Sequence, residues 1–183
     1  MKVLVVVDMQ HDFIDGSLGT PEAQEIAPSV RNKIGEAILR NDLIVYTRDT
    51  HFEDYLETKE GKKLPVEHCI RGTQGWTIPS ELMPRVDYGR FYVYDKYTFG
   101  MTELASKIDA RLRYEGLDKE CTEIELVGLC TDICVVSNAL LLKAAFYDRY
   151  EISVDATCCA GVTPETHEAA LKTMEMCQIN VKR

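Results

Sequence analysis

The 183-residue sequence lacks the features that mark membrane, nucleic-acid-binding and nucleotide-binding proteins. The apolar run at residues 3–7 is too short for a signal segment, and no run approaches the roughly 20 residues of a membrane span. Basic residues are not in excess, since the net charge is −9, which argues against nucleic acid and anionic membranes as partners. The GxGxxG and Walker patterns of phosphate loops do not occur. These absences predict a cytoplasmic protein that binds neither nucleic acid nor membrane.

The seven cysteines fit neither a disulfide framework nor a zinc finger. Their number is odd, and their spacing matches no zinc-finger pattern. In a reducing cytosol most of them are expected to be free thiols. At most one or two should have a special chemical role.

Strand-like and helix-like segments alternate along a chain whose length suits a single domain at residues 1–183. The predicted strands are Lys2–Asp8, Leu43–Thr47, Arg90–Asp95, Thr122–Val127, Glu151–Ala156 and a short sixth at Ile179–Val181. The predicted helices are Pro28–Arg40, Thr102–Tyr114, Val135–Tyr147 and one from Pro164 to about Cys177. Residues 14–27 are predicted as a loop, and residues 52–85 as an ordered excursion over one end of the sheet. This alternation predicts an α/β fold, a Rossmann-like three-layer sandwich with a mostly parallel sheet of five or six strands and helices on both faces.

The stretch Gly128–Val135, which reads GLCTDICV, lies between a predicted strand and a predicted helix. We expect Thr131 or Asp132 to cap the helix, which places Cys134 in its first turn. The helix dipole there favours negative charge, so we expect the pKa of the Cys134 thiol to be lowered. Cys134 is therefore the candidate nucleophile, and the alternative is a small buried apolar residue.

Asp8, Asp49, Lys96 and Cys134 lie at, or just after, the carboxyl ends of four separate predicted strands. The carboxyl ends of parallel strands meet at one edge of a sheet, where ligands bind. A cysteine nucleophile needs a proton acceptor and a nearby cation, and Asp8 and Lys96 supply these two groups. His11 is an alternative base, and an exposed loop charge is the alternative role for Lys96.

A second group of side chains suits a metal. Asp49 and His51 are two residues apart, so their side chains point the same way on an extended strand end. His68 lies in the excursion, and Glu60 is the preferred additional carboxylate, with Asp54 as the alternative. Imidazoles and carboxylates suit zinc, iron or manganese. The competing explanation is a capped loop with a surface histidine.

Several motifs together resemble the isochorismatase-like cysteine hydrolases, and within them the nicotinamidase branch. The motifs are VVVDMQHDF at 5–13, TRDTH at 47–51, a lysine after a strand at 96, GLCTDICV at 128–135 and DATCCAGVTPETHEAAL at 155–171. The resemblance implies a catalytic triad of Asp8, Lys96 and Cys134. It also implies a cis peptide between Leu129 and Cys130, and an oxyanion hole made by the backbone N–H groups of Cys130 and Cys134.

The same resemblance implies a divalent metal beside the triad, with zinc as the expected ion and iron or manganese as alternatives. The implied ligands are Asp49, His51, Glu60 and His68. In that branch the metal meets the pyridine nitrogen of the substrate. Phe13 matches an aromatic residue that packs on the ring, and Trp76 and Leu129 are further candidates for the substrate site.

The predicted function is hydrolysis of a small amide through a thioester intermediate, with nicotinamide as the expected substrate and a homo-oligomer as the expected assembly. Two departures from the nicotinamidase pattern leave the substrate open: Ile133 stands where an aromatic residue or histidine is more usual, and Cys130 where alanine is. A hydrolase of the same fold that acts on a ureido or carbamoyl compound is one alternative. An isochorismatase, which uses no cysteine nucleophile, and a non-catalytic binding domain are the others.

Overall fold

In the computed structural model, which describes residues 1–84 and 88–183, six strands form one parallel sheet. The strands are β1 (Lys2–Val7), β2 (Leu43–Asp49), β3 (Phe91–Lys96), β4 (Glu123–Leu129), β5 (Glu151–Ala160) and β6 (Asn180–Lys182). Their order is β3-β2-β1-β4-β5-β6. The direction of winding reverses between β1 and β4, so a crevice opens beyond the carboxyl ends of these two strands.

Helices cover both faces of this sheet. They are α1 (His11–Ile14), α2 (Pro21–Leu39), α3 (Leu104–Tyr114), α4 (Val136–Phe146) and α5 (Pro164–Met176). One core joins the sheet to α3, α4 and α5 through residues such as Ile108, Leu142 and Leu171. The other core lies under α1 and α2 and includes Phe13 and Val30. The predicted three-layer α/β fold is therefore confirmed, and among the described residues no helix is long and apolar enough to cross a membrane.

The prediction of a loop at residues 14–27 is correct for residues 15–20 and wrong for residue 14 and residues 21–27, which are helical. Helix α2 begins at Pro21, where the hydroxyl of Thr20 accepts a hydrogen bond from the Ala23 N–H at 3.0 Å. Proline suits a first helical turn because that turn needs no N–H partner. Pro21 and Pro28 both suit a first helical turn. The helix begins at Pro21, so Pro28 lies inside it.

Among the strands that end later than their sequence patterns indicate are β2, β3 and β5. β5 continues to Ala160, β2 ends at Asp49 and β3 ends at Lys96. Asp49 and Lys96 are paired in the register of β2 and β3, which sets their side chains next to each other at the sheet edge. The strand residues beyond the predicted ends therefore include two predicted site residues, Asp49 and Lys96.

The predicted excursion is ordered over residues 52–84, and its last residue, Arg85, lies outside the described residues. It contains two short 3₁₀ turns, Tyr55–Glu57 and Ser80–Leu82, and His51 forms an isolated parallel bridge with Ile70. The carboxylate of Asp12 in α1 accepts the Cys69 N–H at 2.7 Å. Gly75 packs so closely on Asp12 that a Cβ would lie 2.0 Å from its carboxylate. The excursion is thus tied to α1.

Candidate active site

The Lys96 ammonium lies at the centre of the three predicted catalytic side chains. Its Nζ is 2.7 Å from Asp8 Oδ2, 3.0 Å from Asp49 Oδ1 and 3.5 Å from Cys134 Sγ. Lys96 and Cys134 are only 2% and 4% exposed, and Asp8 is fully buried. The hydroxyl of Thr47 donates to Asp8 Oδ1 at 2.7 Å and fixes that carboxylate. The structure brings together the side chains that the strand-end argument predicts, and Lys96 is no exposed loop charge.

Burial dominates the ionisation of this cluster. It raises the pKa of the Asp8 carboxyl, which the neighbouring Lys96 partly offsets. Burial also raises the pKa of the Cys134 thiol, as does the charge of Asp8, while Lys96 acts in the opposite direction. The thiol pKa is therefore raised in the resting site and not lowered as the sequence predicts, because burial disfavours the charged thiolate. Burial disfavours the charged form of Lys96, but Asp8, Cys134 and Asp49 together raise its pKa well above the ordinary value.

The turn that carries Cys134 is a π-helical turn at Thr131–Val135 that leads into α4. Cys130 occupies the N-cap position without a side-chain cap, so the predicted capping by Thr131 or Asp132 is wrong. These two side chains bond to the segment after β5 instead. Thr131 Oγ1 lies 2.8 Å from His167 Nδ1, and the Asp132 carboxylate accepts the Val162 N–H at 3.1 Å. The nucleophile turn is therefore held from α5 as well as from β4.

The backbone just before this turn has two special features. The peptide between Leu129 and Cys130 is cis, as the resemblance implies. Gly128 has a φ of +117°, and a Cβ there would lie 2.2 Å from the Val7 carbonyl oxygen. A side chain at this position would push β4 away from β1 and separate Cys134 from Asp8. Neither the Cys130 N–H nor the Cys134 N–H is a donor in the backbone hydrogen bonds that the described residues form outside regular helices and strands.

The four predicted metal ligands, Asp49, His51, Glu60 and His68, form one cluster whose ligand atoms all lie within 4.8 Å of one another. His51 Nε2 is 3.0 Å from Asp49 Oδ2, and His68 Nε2 is 3.7 Å from the same oxygen. The Val66 carbonyl accepts from His68 Nδ1 at 2.8 Å, which leaves Nε2 free to bind a metal. Two imidazoles and two carboxylates at this spacing fit a divalent ion such as zinc. The cluster uses Glu60, whereas Asp54 borders a separate surface pocket.

The thiol and the ligand cluster open onto one cavity of about 430 Å³. Cys130 and Cys134 line it, and so do Asp49, Glu60 and His68. Its apolar walls are Phe13, Leu18, Leu64, Phe99, Ile133 and Val162. A molecule bound there can therefore reach the Cys134 thiol and the predicted metal ligands at the same time.

Three candidate residues have other roles. Trp76 is not among the described residues that line the cavity: its ring stacks under Arg48, and its Nε1–H donates to the Thr50 hydroxyl at 2.8 Å. Leu129 is buried in the core and does not line the cavity either. The ring of His11 pairs with Asp15 at 3.0 Å, which directs it away from the role of base.

Gln10 belongs to the site, although its sequence context predicts no role for it. Its side chain is fully buried, accepts the Asp49 N–H at 2.7 Å, and donates to the carbonyl oxygens of Asp49 and Trp76. It therefore holds the metal-ligand strand end against the excursion. Its only signal in the sequence is its place two residues after Asp8. Lys59 and Lys63, which also line the cavity, have no motif to mark them.

Comparison with known proteins places this geometry in a family. A family model described as the isochorismatase domain matches residues 2–182. The nicotinamidase/pyrazinamidase of Mycobacterium tuberculosis is 27% identical over 191 residues, which cover 99% of this chain and 98% of that protein. The structure of a pyrazinamidase of Pyrococcus horikoshii in complex with zinc matches with a TM-score of 0.80 at 28% identity, over 100% of this chain and 98% of that one. An N-carbamoylsarcosine amidase from Thermoplasma acidophilum matches with a TM-score of 0.75 at 29% identity, over 100% and 96%. The chain therefore belongs to the isochorismatase family.

Proposed function

We propose that the protein is a cysteine amidohydrolase that converts a small primary amide to its acid and ammonia, with nicotinamide as the substrate. The observation that carries this proposal is the buried Lys96 ammonium, 2.7 Å from Asp8 and 3.5 Å from the Cys134 sulfur. A thiol beside both a carboxylate and an ammonium, in a cavity that excludes bulk water, has what covalent catalysis needs.

In the first half-reaction, Asp8 takes the thiol proton as Cys134 Sγ attacks the amide carbon. The raised pKa of Asp8 suits a group that must accept a proton near neutral pH. Lys96 stabilises the thiolate as it forms. The electron pair of the C=O bond moves to the oxygen, and the N–H groups of Cys130 and Cys134 receive this oxyanion. Each such donor is typically worth about 10²–10³ in rate.

Collapse of the tetrahedral intermediate breaks the C–N bond. Asp8 returns its proton to the leaving nitrogen, which departs as ammonia and leaves a thioester on Cys134. Water then attacks the thioester carbon while Asp8 accepts one of its protons. The C–S bond breaks, the acid product leaves, and the proton passes back to the sulfur.

The residues Asp49, His51, Glu60 and His68 would hold a divalent ion, for which we propose zinc. When bound, the ion supplies a Lewis-acid site for a ring nitrogen of the substrate. Phe13 borders the same cavity and lies 5.5 Å, centroid to centroid, from the His68 ring. This places an apolar face beside the ligand cluster, which suits a flat heteroaromatic ring. The likeness to the Mycobacterium nicotinamidase/pyrazinamidase and to the Pyrococcus pyrazinamidase supports an amide on such a ring.

A carbamoyl compound is the second candidate substrate. The likeness to the Thermoplasma N-carbamoylsarcosine amidase, at 29% identity, favours it. The same cysteine chemistry would serve, because a carbamoyl carbon is also a planar C–N centre.

The test is ammonia release from nicotinamide, pyrazinamide and N-carbamoylsarcosine, with and without a chelator. We expect nicotinamide to be the best substrate, chelation to remove the activity, and added zinc to restore it. Cys134→Ala should abolish turnover and still bind nicotinamide, whereas the matched variant Cys177→Ala, at an exposed thiol, should keep it. Near wild-type turnover by Cys134→Ala would overturn the mechanism. Full activity on the carbamoyl compound after metal removal would favour the second candidate.

A further inference from the structure

Asn138 lies in α4, one helical turn after Cys134, and its side chain is fully buried. Within the described part of the chain it belongs to neither the catalytic nor the ligand cluster, and it does not line the cavity. A buried polar side chain is stable only when its hydrogen bonds are made inside the protein. The partners of Asn138 therefore show what it holds in place.

The Asn138 amide binds two segments of the chain at once. Its Nδ2 donates to the Cys134 carbonyl at 2.8 Å, within the turn that carries the thiol. The same Nδ2 donates to the Phe99 carbonyl at 3.2 Å, and Oδ1 accepts the Met101 N–H at 2.9 Å. An amide side chain is suited to this place because it offers both donors and an acceptor. It joins the helix of the thiol to the segment of residues 97–101.

The segment of residues 97–101 directly follows Lys96 and supplies part of the cavity wall. Phe99 lines the cavity although it is 45% exposed. Gly100 packs against α4, where a Cβ would lie 3.1 Å from Ser137 Cβ. Lys96 is fixed separately, by its register with β2 and by its ion pairs. Loss of the Asn138 bonds would therefore loosen the Phe99 wall and leave the ammonium in place.

We propose that Asn138 is a positioning residue that holds Phe99 in the cavity wall, and through Phe99 the ring of the substrate. This inference rests on the proposed amidase function and adds to it a residue that acts on substrate binding from outside the cavity. A side chain that is ordered before the ligand arrives binds it more tightly, because less conformational entropy is lost on binding. The bonds from Asn138 to the backbone of residues 99 and 101 supply this order.

The test uses Asn138→Ser, which separates the two contacts of the amide. A serine hydroxyl can still donate to the Cys134 carbonyl, as the Ser137 hydroxyl does to the Ile133 carbonyl at 2.6 Å, but it cannot also bridge to residues 99 and 101. In the metal-loaded enzyme we expect KM for nicotinamide to rise by about fivefold, the order of one aromatic contact, and kcat to change by less than about twofold. Ser137→Ala is the matched control, because it removes an intrahelical bond in the same turn and leaves the Asn138 bridge intact.

A double-mutant cycle with Phe99→Ala shows whether the effect passes through the ring. We expect Phe99→Ala alone to raise KM by about tenfold, and Asn138→Ser to add less than about twofold once the ring is absent. A role in fold stability alone would instead give independent effects that multiply. Hydrogen exchange at residues 98–101 should be faster in Asn138→Ser and unchanged in Ser137→Ala.

Two outcomes would overturn the inference: independent effects of Asn138→Ser and Phe99→Ala on KM, or wild-type exchange rates at residues 98–101 in Asn138→Ser. If wild type hydrolyses none of the amides tested, the proposed function fails. The exchange rates at residues 98–101 then decide on the positioning role alone, because they need no substrate.

Discussion

At the scale of single residues, the Lys96 ammonium connects the two parts of the site. It touches Asp8 and Cys134 on one side and Asp49, a member of the ligand cluster, on the other. A buried ion cluster of this kind is stable only while its charges compensate one another. Removing the ammonium leaves two carboxylates facing each other without water.

We predict that Lys96→Met loses both activity and stability. Breaking a buried ion pair typically costs about 3–5 kcal/mol, because the remaining charges stay buried. Ammonia release should fall by at least about a hundredfold, since Asp8 and Cys134 lose their shared cation. Urea unfolding and a nicotinamide assay measure the two effects, with Lys172→Met on the exposed side of α5 as the control. Equal stability of the two variants would contradict the prediction.

The proximity of Asp8, Lys96 and Cys134 could be predicted from the sequence, because parallel strands end at a common edge of the sheet. The direction in which the pKa of the Cys134 thiol shifts could not be predicted from the sequence. Position at a helix start is visible in the sequence, but the amount of protein packed around a thiol is not. Desolvation depends on that surrounding protein, and here it has the larger effect.

At the scale of elements, α1 and the excursion behave as one unit. The Asp12 carboxylate accepts the N–H of Cys69, next to the ligand His68, and that of Ser17. Gln10 joins the same segment to the end of β2 through Asp49 and Trp76. The glycines and prolines of residues 52–84 indicate an irregular path. Apart from the bond to Ser17, these anchors link residues 39 to 66 positions apart, and no local pattern reveals them.

We predict that Asp12→Ala loosens the excursion and weakens zinc binding. A buried N–H left without its acceptor costs about 1–3 kcal/mol, and this cost falls on the loop that carries His68. Hydrogen exchange should become faster in residues 64–76 and stay unchanged in α4. Asp15→Ala is the control, because Asp15 is exposed and its carboxylate pairs, within the described part of the chain, only with the His11 ring. Wild-type zinc affinity in Asp12→Ala would argue against this anchoring role.

At the scale of the whole molecule, a charged network joins three strands at the end of the sheet opposite the cavity. Glu123 in β4 bonds to Lys182 in β6 and lies 2.7 Å from Lys2 Nζ in β1. Burial opposes ionisation of this carboxyl, but the bonds from Lys182 and Lys2 outweigh it and lower its pKa to about 2 from its usual 4.5. The ion pairs therefore favour the folded state only while Glu123 is ionised.

We predict that this network makes stability depend on pH in the acid range. Because the folded pKa lies below the unfolded one, the contribution of Glu123 is complete above about pH 4.5 and is lost as the pH falls towards 2. Glu123→Gln should be less stable than wild type at pH 7 and should lose less stability between pH 5 and pH 3. Urea unfolding over this range tests the slope. Glu151→Gln is the control, because Glu151 is the exposed residue opposite Glu123 in β5, and its stability should depend on pH as that of wild type does. Parallel curves of unfolding free energy against pH for Glu123→Gln and wild type would refute the prediction.

The alternation of strands and helices was enough to predict the layers and the parallel sheet, because a parallel connection needs a crossover. Element ends were less predictable, as the start of α2 at Pro21 shows. Helix starts depend on which of several suitable residues the core can accommodate, and that is settled by packing over the whole molecule.

The reversal of winding between β1 and β4 also divides the chemistry along the polypeptide. Residues 1–96 supply the proposed base, the ammonium and every side chain of the ligand cluster, whereas the sulfur and its turn come from residues 128–135. During synthesis, all four predicted metal ligands therefore leave the ribosome before the proposed nucleophile does. A chain that stopped after α3 would carry all four predicted metal ligands and would lack the Cys134 thiol.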